Sequence, residues 1–192
     1  MKKLICLLWA MAVLALCAGC APKVYTPTGE KTGNDALDDA VLSLLQEICD
    51  PKASLTDNLG HAYDFICTGI TYRAATADTS EGFTEDLTES LALELLQKRK
   101  GNCDAQAALM AVLLQRMGCE AQIVQGTFLR GAGDAAGSAL VDHAWVYAVV
   151  NATGCWFDPL YGSHFAEQPR DYFMADDALL AQTHQYDAAA MQ

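Results

Sequence analysis

The sequence predicts an α+β domain in which a group of helices precedes an antiparallel β-sheet. Apolar residues recur at helical spacing between residues 34 and 117, whereas they alternate with polar residues in period two from residue 121 onwards. Helices first and a strand meander second are typical of the α+β class. The helix predicted at residues 102–117 is apolar on most of its circumference. We therefore expect it to be central and to pack on the sheet.

Each predicted helix is marked by a capping residue or a stop signal. Asn34 is expected to cap the first helix and Thr84 the third, because their side-chain oxygens can accept free backbone N–H groups. Between them, an apolar stripe over residues 59–70 begins as a second helix. The third helix ends in the basic run 98–100, followed by Gly101. We expect this run to complete the helix dipole rather than to bind an anion.

Three strands are predicted after the central helix, at residues 121–125, 141–150 and 155–158. The segment 131–138 before the second strand is rich in Gly and Ala, so it is predicted to be a loop. We expect this loop to be a mobile lid at the rim of an active cleft or, equally, a solvated hairpin tip.

The first 19 residues have the pattern of an export signal. Two lysines precede an apolar run at residues 4–16, which is too short to span a bilayer. The Ala-Gly-Cys sequence at residues 18–20 resembles a bacterial lipobox, in which cleavage precedes a cysteine that becomes acylated; a plain secretory signal is the alternative. We therefore expect a signal peptide at 1–19 and lipid attachment at Cys20. The expected location is the cell membrane, lipid-anchored and facing outside the cytoplasm.

The composition also indicates how the rest of the chain is organised and which kinds of partner it can bind. Residues 20–33 are rich in Pro, Thr and Gly and are expected to form a lipidated tether, and residues 34–192 suit a single globular domain. The formal net charge of −12 argues against nucleic acid as a partner. The expected partners are a protein or peptide substrate, with cell-wall peptides among the candidates, and the membrane through the anchor.

Cys103 is the candidate nucleophile, because it lies in the first turn of the predicted central helix. Unpaired backbone N–H groups and the positive end of the helix dipole stabilise a thiolate there, and the same groups can hold a developing oxyanion. Asp104 opposes this effect, since a neighbouring carboxylate disfavours a second negative charge. Taken alone, Cys103 would by default be interpreted as a buried structural cysteine.

His143 and Asp158 are the candidate partners of this cysteine. His143 begins the second predicted strand and lies on the same face as Trp145, where an imidazole can take the thiol proton. If residues 151–152 form a two-residue turn, Asp158 lies opposite Trp145 and diagonal to His143. Diagonal neighbours are about 7–8 Å apart at the backbone, within side-chain reach. A carboxylate there would fix the imidazole tautomer.

Three short motifs follow one another in the order found in a known family. They are Gly-Asn-Cys-Asp-Ala at residues 101–105, His-Ala-Trp at 143–145 and Asp-Pro-Leu-Tyr at 158–161. Together they resemble the core pattern of transglutaminase-like domains, strongly over residues 89–161 and weakly on to residue 174. Val146 and Leu160 depart from the residues frequent in that family, which affects the expected substrate contacts more than the triad.

The resemblance implies a papain-like, transglutaminase-like fold with Cys103 as nucleophile, His143 as base and Asp158 as orienting acid. Tyr72 is the candidate for a second oxyanion donor, although a plain core aromatic is the alternative. The implied function is thiol-dependent amide or peptide hydrolysis outside the cytoplasm. The alternatives are a protein-glutamine transglutaminase and a non-catalytic surface module that retains the fold for binding.

The number of cysteines is relevant to the assignment of Cys103 as the nucleophile. Five cysteines follow Cys20: Cys49, Cys67, Cys103, Cys119 and Cys155. If the nucleophile stays reduced, Cys49 can pair with Cys67 and Cys119 with Cys155, although a strand between the latter two would place them too far apart. Four unpaired core thiols are the alternative. No C-x-x-C pair follows Cys20 and no Asp-x-Asp-x-Asp loop occurs, so neither a metal nor a cofactor is expected.

Overall fold

The computed structural model describes residues 23–74, 77–130, 139–168 and 170–188. The predicted signal peptide, the lipid attachment site Cys20 and the Gly/Ala loop 131–138 lie outside these residues. Among the described residues, none of the helices has the length and apolar character needed to cross a membrane.

The described elements follow the predicted order of helices and then strands, with further short strands added. The helices are α1 (Asp35–Ile48), α2 (Leu55–Gly69), α3 (Glu85–Lys98), α4 (Cys103–Arg116), α5 (Pro159–His164) and α6 (Asp177–Leu180). The strands are β1 (Thr71–Tyr72), β2 (Lys100–Gly101), β3 (Glu120–Leu129), β4 (Leu140–Val150), β5 (Thr153–Phe157), β6 (Phe173–Ala175) and β7 (His184–Tyr186).

The predicted helix starts are confirmed by their capping hydrogen bonds. The Asn34 side chain accepts the Leu37 N–H at the start of α1, and the Thr84 hydroxyl accepts the Leu87 N–H at the start of α3. The end of α3 differs from the prediction. Arg99, and not Gly101, takes the left-handed conformation there, with φ of 54°, and its guanidinium lies 4.3 Å above the Phe65 ring.

The main sheet has five strands in the order β6-β5-β4-β3-β7, and every pairing in it is antiparallel. The predicted two-residue turn at Asn151 and Ala152 is confirmed, since Val150 pairs with Thr153 and both turn residues have positive φ. Strand β3 runs further than predicted, because residues 126–128 pair with β4 on one side and β7 on the other.

Helix α4 is the central helix that its apolar circumference predicts. Ten consecutive residues, 105–114, are buried, and the helix packs against α3 and against strands β3 and β4. A second cluster of buried aromatic side chains covers the opposite face of the sheet and includes Trp145 and Trp156. The sheet is therefore covered on both faces.

The last residues of the predicted tether are attached to the domain. The Thr28 hydroxyl donates to the Met117 carbonyl at 3.0 Å, and the Gly29 N–H donates to the Arg116 carbonyl at 3.0 Å. The chain therefore lies against the C-terminal end of α4 from about residue 28 onwards, six residues before the predicted domain boundary.

The predicted disulfides are absent from the structure, since Cys49, Cys67, Cys119 and Cys155 are all free. Strand β4 lies between the strands that follow Cys119 and contain Cys155, which places two strand spacings, about 9.6 Å, between their backbones. The Cys67 thiol donates to the Pro159 carbonyl at 3.4 Å, so it faces α5. Burial of the two thiols raises the pKa of Cys49 to about 11 and that of Cys67 to about 12.

Gly101 is required by close packing immediately before the cysteine helix. A Cβ at this position would lie 2.6 Å from Leu95 Cδ1 and 2.9 Å from the Ala105 Cβ, and both neighbours are buried. We expect Gly101→Ala to reduce the free energy of unfolding by about 1–3 kcal/mol, as overpacking in a filled core does. Urea denaturation measures the change, with Gly69→Ala as the control, because a Cβ there would make only ordinary van der Waals contacts. Equal stability of the wild type and Gly101→Ala would contradict the packing argument.

Candidate active site

Cys103 is the first residue of α4, as predicted. The preceding residue, Asn102, is the N-cap, and its side chain accepts the Ala105 N–H at 3.3 Å. Cys103 is half-buried, although the helix behind it is buried. A cysteine with this placement combines access from solvent with free N–H groups of the first helical turn.

Asp104 is close to the thiol and is itself held in place. The Cys103 Sγ lies 3.8 Å from Asp104 Oδ1. The other carboxylate oxygen accepts hydrogen bonds from Asn102 Nδ2 at 2.8 Å and from the Thr79 hydroxyl at 3.2 Å. The Cys103 thiol therefore lies beside a carboxylate that neighbouring side chains hold in place.

His143 lies on β4, on the sheet face that carries Trp145, as predicted. Its ring packs at 5.7 Å from the Trp145 ring and at 4.8 Å from the Phe128 ring, measured between centroids. The side chain is buried, and Nε2 lies 2.6 Å from Asp158 Oδ2. The two-residue turn between β4 and β5 brings this diagonal pair within hydrogen-bonding distance.

The electrostatics of this pair favour a charged imidazole. Burial alone would lower the pKa of His143, but the charge and hydrogen bond of Asp158, with a smaller contribution from Cys103, raise it to about 10. Burial would conversely raise the pKa of Asp158, but the charges and hydrogen bonds of His143 and His184 hold it below its ordinary range. Within the part of the chain that the structure describes, no group hydrogen-bonds His143 Nδ1 with ordinary geometry, so this nitrogen can share a proton with the thiol.

Asp158 is held by more contacts than the sequence predicts. Its Oδ1 accepts the Tyr161 N–H at 2.9 Å, which makes Asp158 the N-cap of α5. Its backbone carbonyl accepts the Tyr63 hydroxyl at 3.0 Å. Its Oδ2, which faces His143, also lies 2.9 Å from Nε2 of His184.

His184 is a site residue that the sequence interpretation missed. It lies on β7, directly opposite Phe128 of β3, and is buried. The local signal is small: His184 and Tyr186 alternate with a polar residue in a three-residue strand near the C-terminus. A systematic look at the four histidines of this histidine-poor chain could have selected it. Only the pairing of β7 with β3 brings it to Asp158.

Cys103 and His143 line the same cavity, which has a volume of about 390 Å³. Tyr72 lines it too, and 54% of its surface is exposed. Tyr72 is therefore not the core aromatic that was weighed as its alternative. Strand β1 pairs Tyr72 with Gly101, two residues before the nucleophile candidate. A larger cavity of about 540 Å³, between α3, α4 and β3, contains none of these residues.

Three buried side chains at this site have metal-binding atoms close together. They belong to His143, Asp158 and His184, whose candidate ligand atoms all lie within 4.8 Å of one another. Both Nε2 atoms already approach Asp158 Oδ2 at hydrogen-bonding distance. A metal ion would therefore have to replace the hydrogens that these two contacts use.

An α+β domain with a half-buried cysteine at the start of its central helix and a histidine–aspartate pair on the adjoining strands has the architecture of cysteine-dependent acyl-transfer folds. Residues 43–159, more than half of the chain, match the transglutaminase-like superfamily, and the chain belongs to this superfamily. This confirms the family that the three sequence motifs indicate. No curated protein matches the chain.

Several solved structures are similar to this chain at low sequence identity. A structure described as a TGase is 15% identical, with a TM-score of 0.52, and the match covers 83% of this chain and 38% of that one. A candidate cysteine protease from Cytophaga hutchinsonii is 15% identical, with a TM-score of 0.49, covering 68% and 38% of the two chains. The periplasmic domain of TgpA from Pseudomonas aeruginosa, solved with ethylmercury, is 21% identical, with a TM-score of 0.46, covering 65% and 44%. This chain thus spans less than half the length of each.

Proposed function

We propose that this protein is a thiol-dependent hydrolase of amide or peptide bonds, with Cys103 as nucleophile, His143 as base and Asp158 as orienting acid. The observation that carries the proposal is the His143–Asp158 contact of 2.6 Å beside a cysteine at a helix N-terminus. A buried carboxylate at this distance stabilises the imidazolium that forms when His143 takes the thiol proton. The raised pKa of His143, about 10, is consistent with such a stabilised imidazolium.

The proposed reaction has two steps. The Cys103 sulfur attacks the amide carbonyl, a C–S bond forms, and the C–N bond breaks as His143 gives the thiol proton to the leaving amine. In the second step His143 takes a proton from water and the hydroxide attacks the thioester carbonyl. The C–S bond then breaks as His143 gives the proton to the sulfur, which restores the thiol and releases the acid. The N–H groups at the start of α4 are placed to stabilise the oxyanion in both steps.

The walls of the cavity favour an apolar side chain next to the scissile amide. Phe128, Val141, Leu160 and Phe165 line it, and its charged or polar lining residues are Arg130, Asp142 and His164, besides Tyr72 and the catalytic candidates. Hydrolysis is favoured over transfer to an amine, because water is abundant and excluding it would require a dedicated tunnel or lid.

Activity-based labelling tests the proposal. A peptide probe with an apolar residue before a thiol-reactive group is expected to label the wild type at Cys103, and Cys103→Ala to escape labelling. Labelling of both proteins alike would contradict the assignment. A glutamine peptide with a primary amine separates the two enzyme classes, since net incorporation of the amine would indicate a transferase. Binding of peptides without labelling or turnover would indicate the non-catalytic module.

Tyr72 is proposed as a side-chain donor to the oxyanion. It lies in the cavity with Cys103, and its neighbour in the β1–β2 pair is Gly101. We expect Tyr72→Phe to lower kcat by about 10²-fold with a smaller change in KM, because an oxyanion donor acts in the transition state. Steady-state kinetics on one peptide amide measures this. A rise in KM at constant kcat would instead identify Tyr72 as a substrate-binding residue.

We further propose that the protein is anchored outside the cytoplasm through a lipid on Cys20. The support is the lipobox-like Ala-Gly-Cys sequence at residues 18–20 after an apolar run. When the full sequence is expressed, the wild type is expected in the membrane fraction as a processed, acylated protein. Cys20→Ser is expected either in the soluble fraction or as the unprocessed precursor. Metabolic labelling with a fatty acid follows the lipid directly, and equal labelling of the Cys20→Ser variant would contradict the proposal.

A further inference from the structure

His184 is a second buried histidine against Asp158, and the proposed triad does not use it. Only 3% of its surface is exposed. Its Nε2 lies 2.9 Å from the same Asp158 oxygen that His143 Nε2 approaches at 2.6 Å. One carboxylate oxygen thus accepts hydrogen bonds from two imidazoles that belong to strands on either side of β3.

The other nitrogen of His184 also has a hydrogen-bonding partner. Nδ1 lies 2.8 Å from the Thr183 hydroxyl, and that hydroxyl lies 2.6 Å from the Tyr172 hydroxyl. An ionised Asp158 can only accept, so His184 Nε2 must carry a hydrogen. The Thr183 hydroxyl, which also donates to the Leu180 carbonyl at 3.5 Å, lies at hydrogen-bonding distance from Nδ1 on the other side of the ring. His184 is thus held at both of its ring nitrogens.

We propose that His184 is a positioning residue, which holds the Asp158 carboxylate so that Oδ2 stays on His143 Nε2. This inference rests on the proposed function. The terminal torsion of an Asp side chain is soft, and the Tyr161 N–H holds only the other oxygen, Oδ1. A second donor on Oδ2 restrains rotation of the carboxylate about that torsion. His184 is absent from the residues that line the cavity, so it acts on the imidazole through Asp158 and does not touch substrate.

Two substitutions at the same position separate this role from packing. His184→Phe keeps an aromatic ring among the Phe128, Trp145 and Tyr161 rings but removes the donor. His184→Gln keeps a donor at about the position of Nε2. We expect His184→Phe to lower kcat by about 10- to 100-fold with KM within about twofold, as for outer partners that orient a functional histidine. His184→Gln is expected to recover at least about half of that loss on a logarithmic scale.

Alkylation of Cys103 by iodoacetamide at about pH 6 gives a second readout that needs no substrate. Quantified by mass spectrometry of the Cys103 peptide, the rate is expected to fall in His184→Phe and to recover in His184→Gln. If His184→Phe and His184→Gln have the same alkylation rate and the same kcat, whether reduced or unchanged, the proposal is overturned. A residue that acts only through packing would give the two variants the same values. If His184→Phe fails to fold, Thr183→Val replaces it, because this change removes the hydrogen-bonding partner of His184 Nδ1. An unchanged alkylation rate of Cys103 in Thr183→Val would also overturn the proposal.

The same measurements give a different result if the proposed function itself is wrong. If Cys103→Ala keeps the wild-type turnover, or if wild-type Cys103 is alkylated no faster than Cys67, the triad itself is wrong. Cys67 is a suitable reference, because it is half-buried like Cys103 and burial raises its pKa to about 12. A fast Cys103 together with indistinguishable His184 variants rejects the positioning role alone.

Discussion

Replacing Cys103 with alanine is expected to lower amide turnover by about 10⁴-fold or more, because the nucleophile of a triad cannot be replaced by water in the same position. The loss should appear in kcat, and the melting temperature should change little, since Cys103 is half-buried and its thiol donates to a single acceptor, Asp104. Kinetics on a chromogenic peptide amide with an apolar side chain measures the effect.

Cys67→Ala is the matched control for this experiment. Cys67 is half-buried as well, but its thiol donates to the Pro159 carbonyl and does not line the cavity of Cys103. Turnover in this variant should stay within about threefold of the wild type. His143→Ala should lose as much activity as Cys103→Ala, and the double variant should lose no more, since residues of one triad are not additive. Independent, additive losses would mean that the two residues act in separate steps.

Stability is expected to fall between about pH 6.5 and pH 8.5 by about 1–2 kcal/mol, through the raised pKa of His143. The folded value of about 10 lies above the unfolded value of 6.5. The contribution is therefore complete below pH 6.5 and is lost as pH rises towards 10. The lowered pKa of Asp158 acts at the other end: its contribution is present above the unfolded value of 3.8 and is lost as pH falls below it.

This measurement is best made in the Cys103→Ala background, where the thiol cannot exchange a proton with the imidazole. Urea denaturation at several pH values gives the free energy of unfolding. Asp158→Asn should abolish the slope, because it removes the main cause of the raised pKa of His143, whereas His61→Gln at an exposed histidine should keep it. Tyr161 and Tyr172, which face Asp158, stay neutral in this range because burial raises the pKa of both. A slope that persists in Asp158→Asn would show that another group carries it.

Local sequence patterns predicted the elements that position the site. Asn34, Thr84 and Asn102 cap helices as their residue types indicate, and α4 is central because its apolar circumference has to be buried. The distance between His143 and Asp158 could also be anticipated. It depends on a two-residue turn and on strand register, and both are short-range properties of neighbouring strands.

The disulfide pairing could not be predicted in the same way. Thiol pairing depends on where strands and helices lie relative to one another, and a count of cysteines contains no such information. With β4 between β3 and β5, Cys119 and Cys155 are separated by a strand, and Cys67 faces α5 instead of Cys49. The attachment of Thr28 to the end of α4 is likewise a contact across 89 residues of sequence.

The sequence by itself therefore determined the family, the class of fold and the three residues proposed for catalysis, because each depends on residue types in local order. The tertiary structure decided what surrounds them. It placed His184 on Asp158 by pairing β7 with β3, and it exposed Tyr72 in the cavity of Cys103. These are contacts between segments far apart in the chain, which the packing of the whole sheet fixes and no local periodicity encodes.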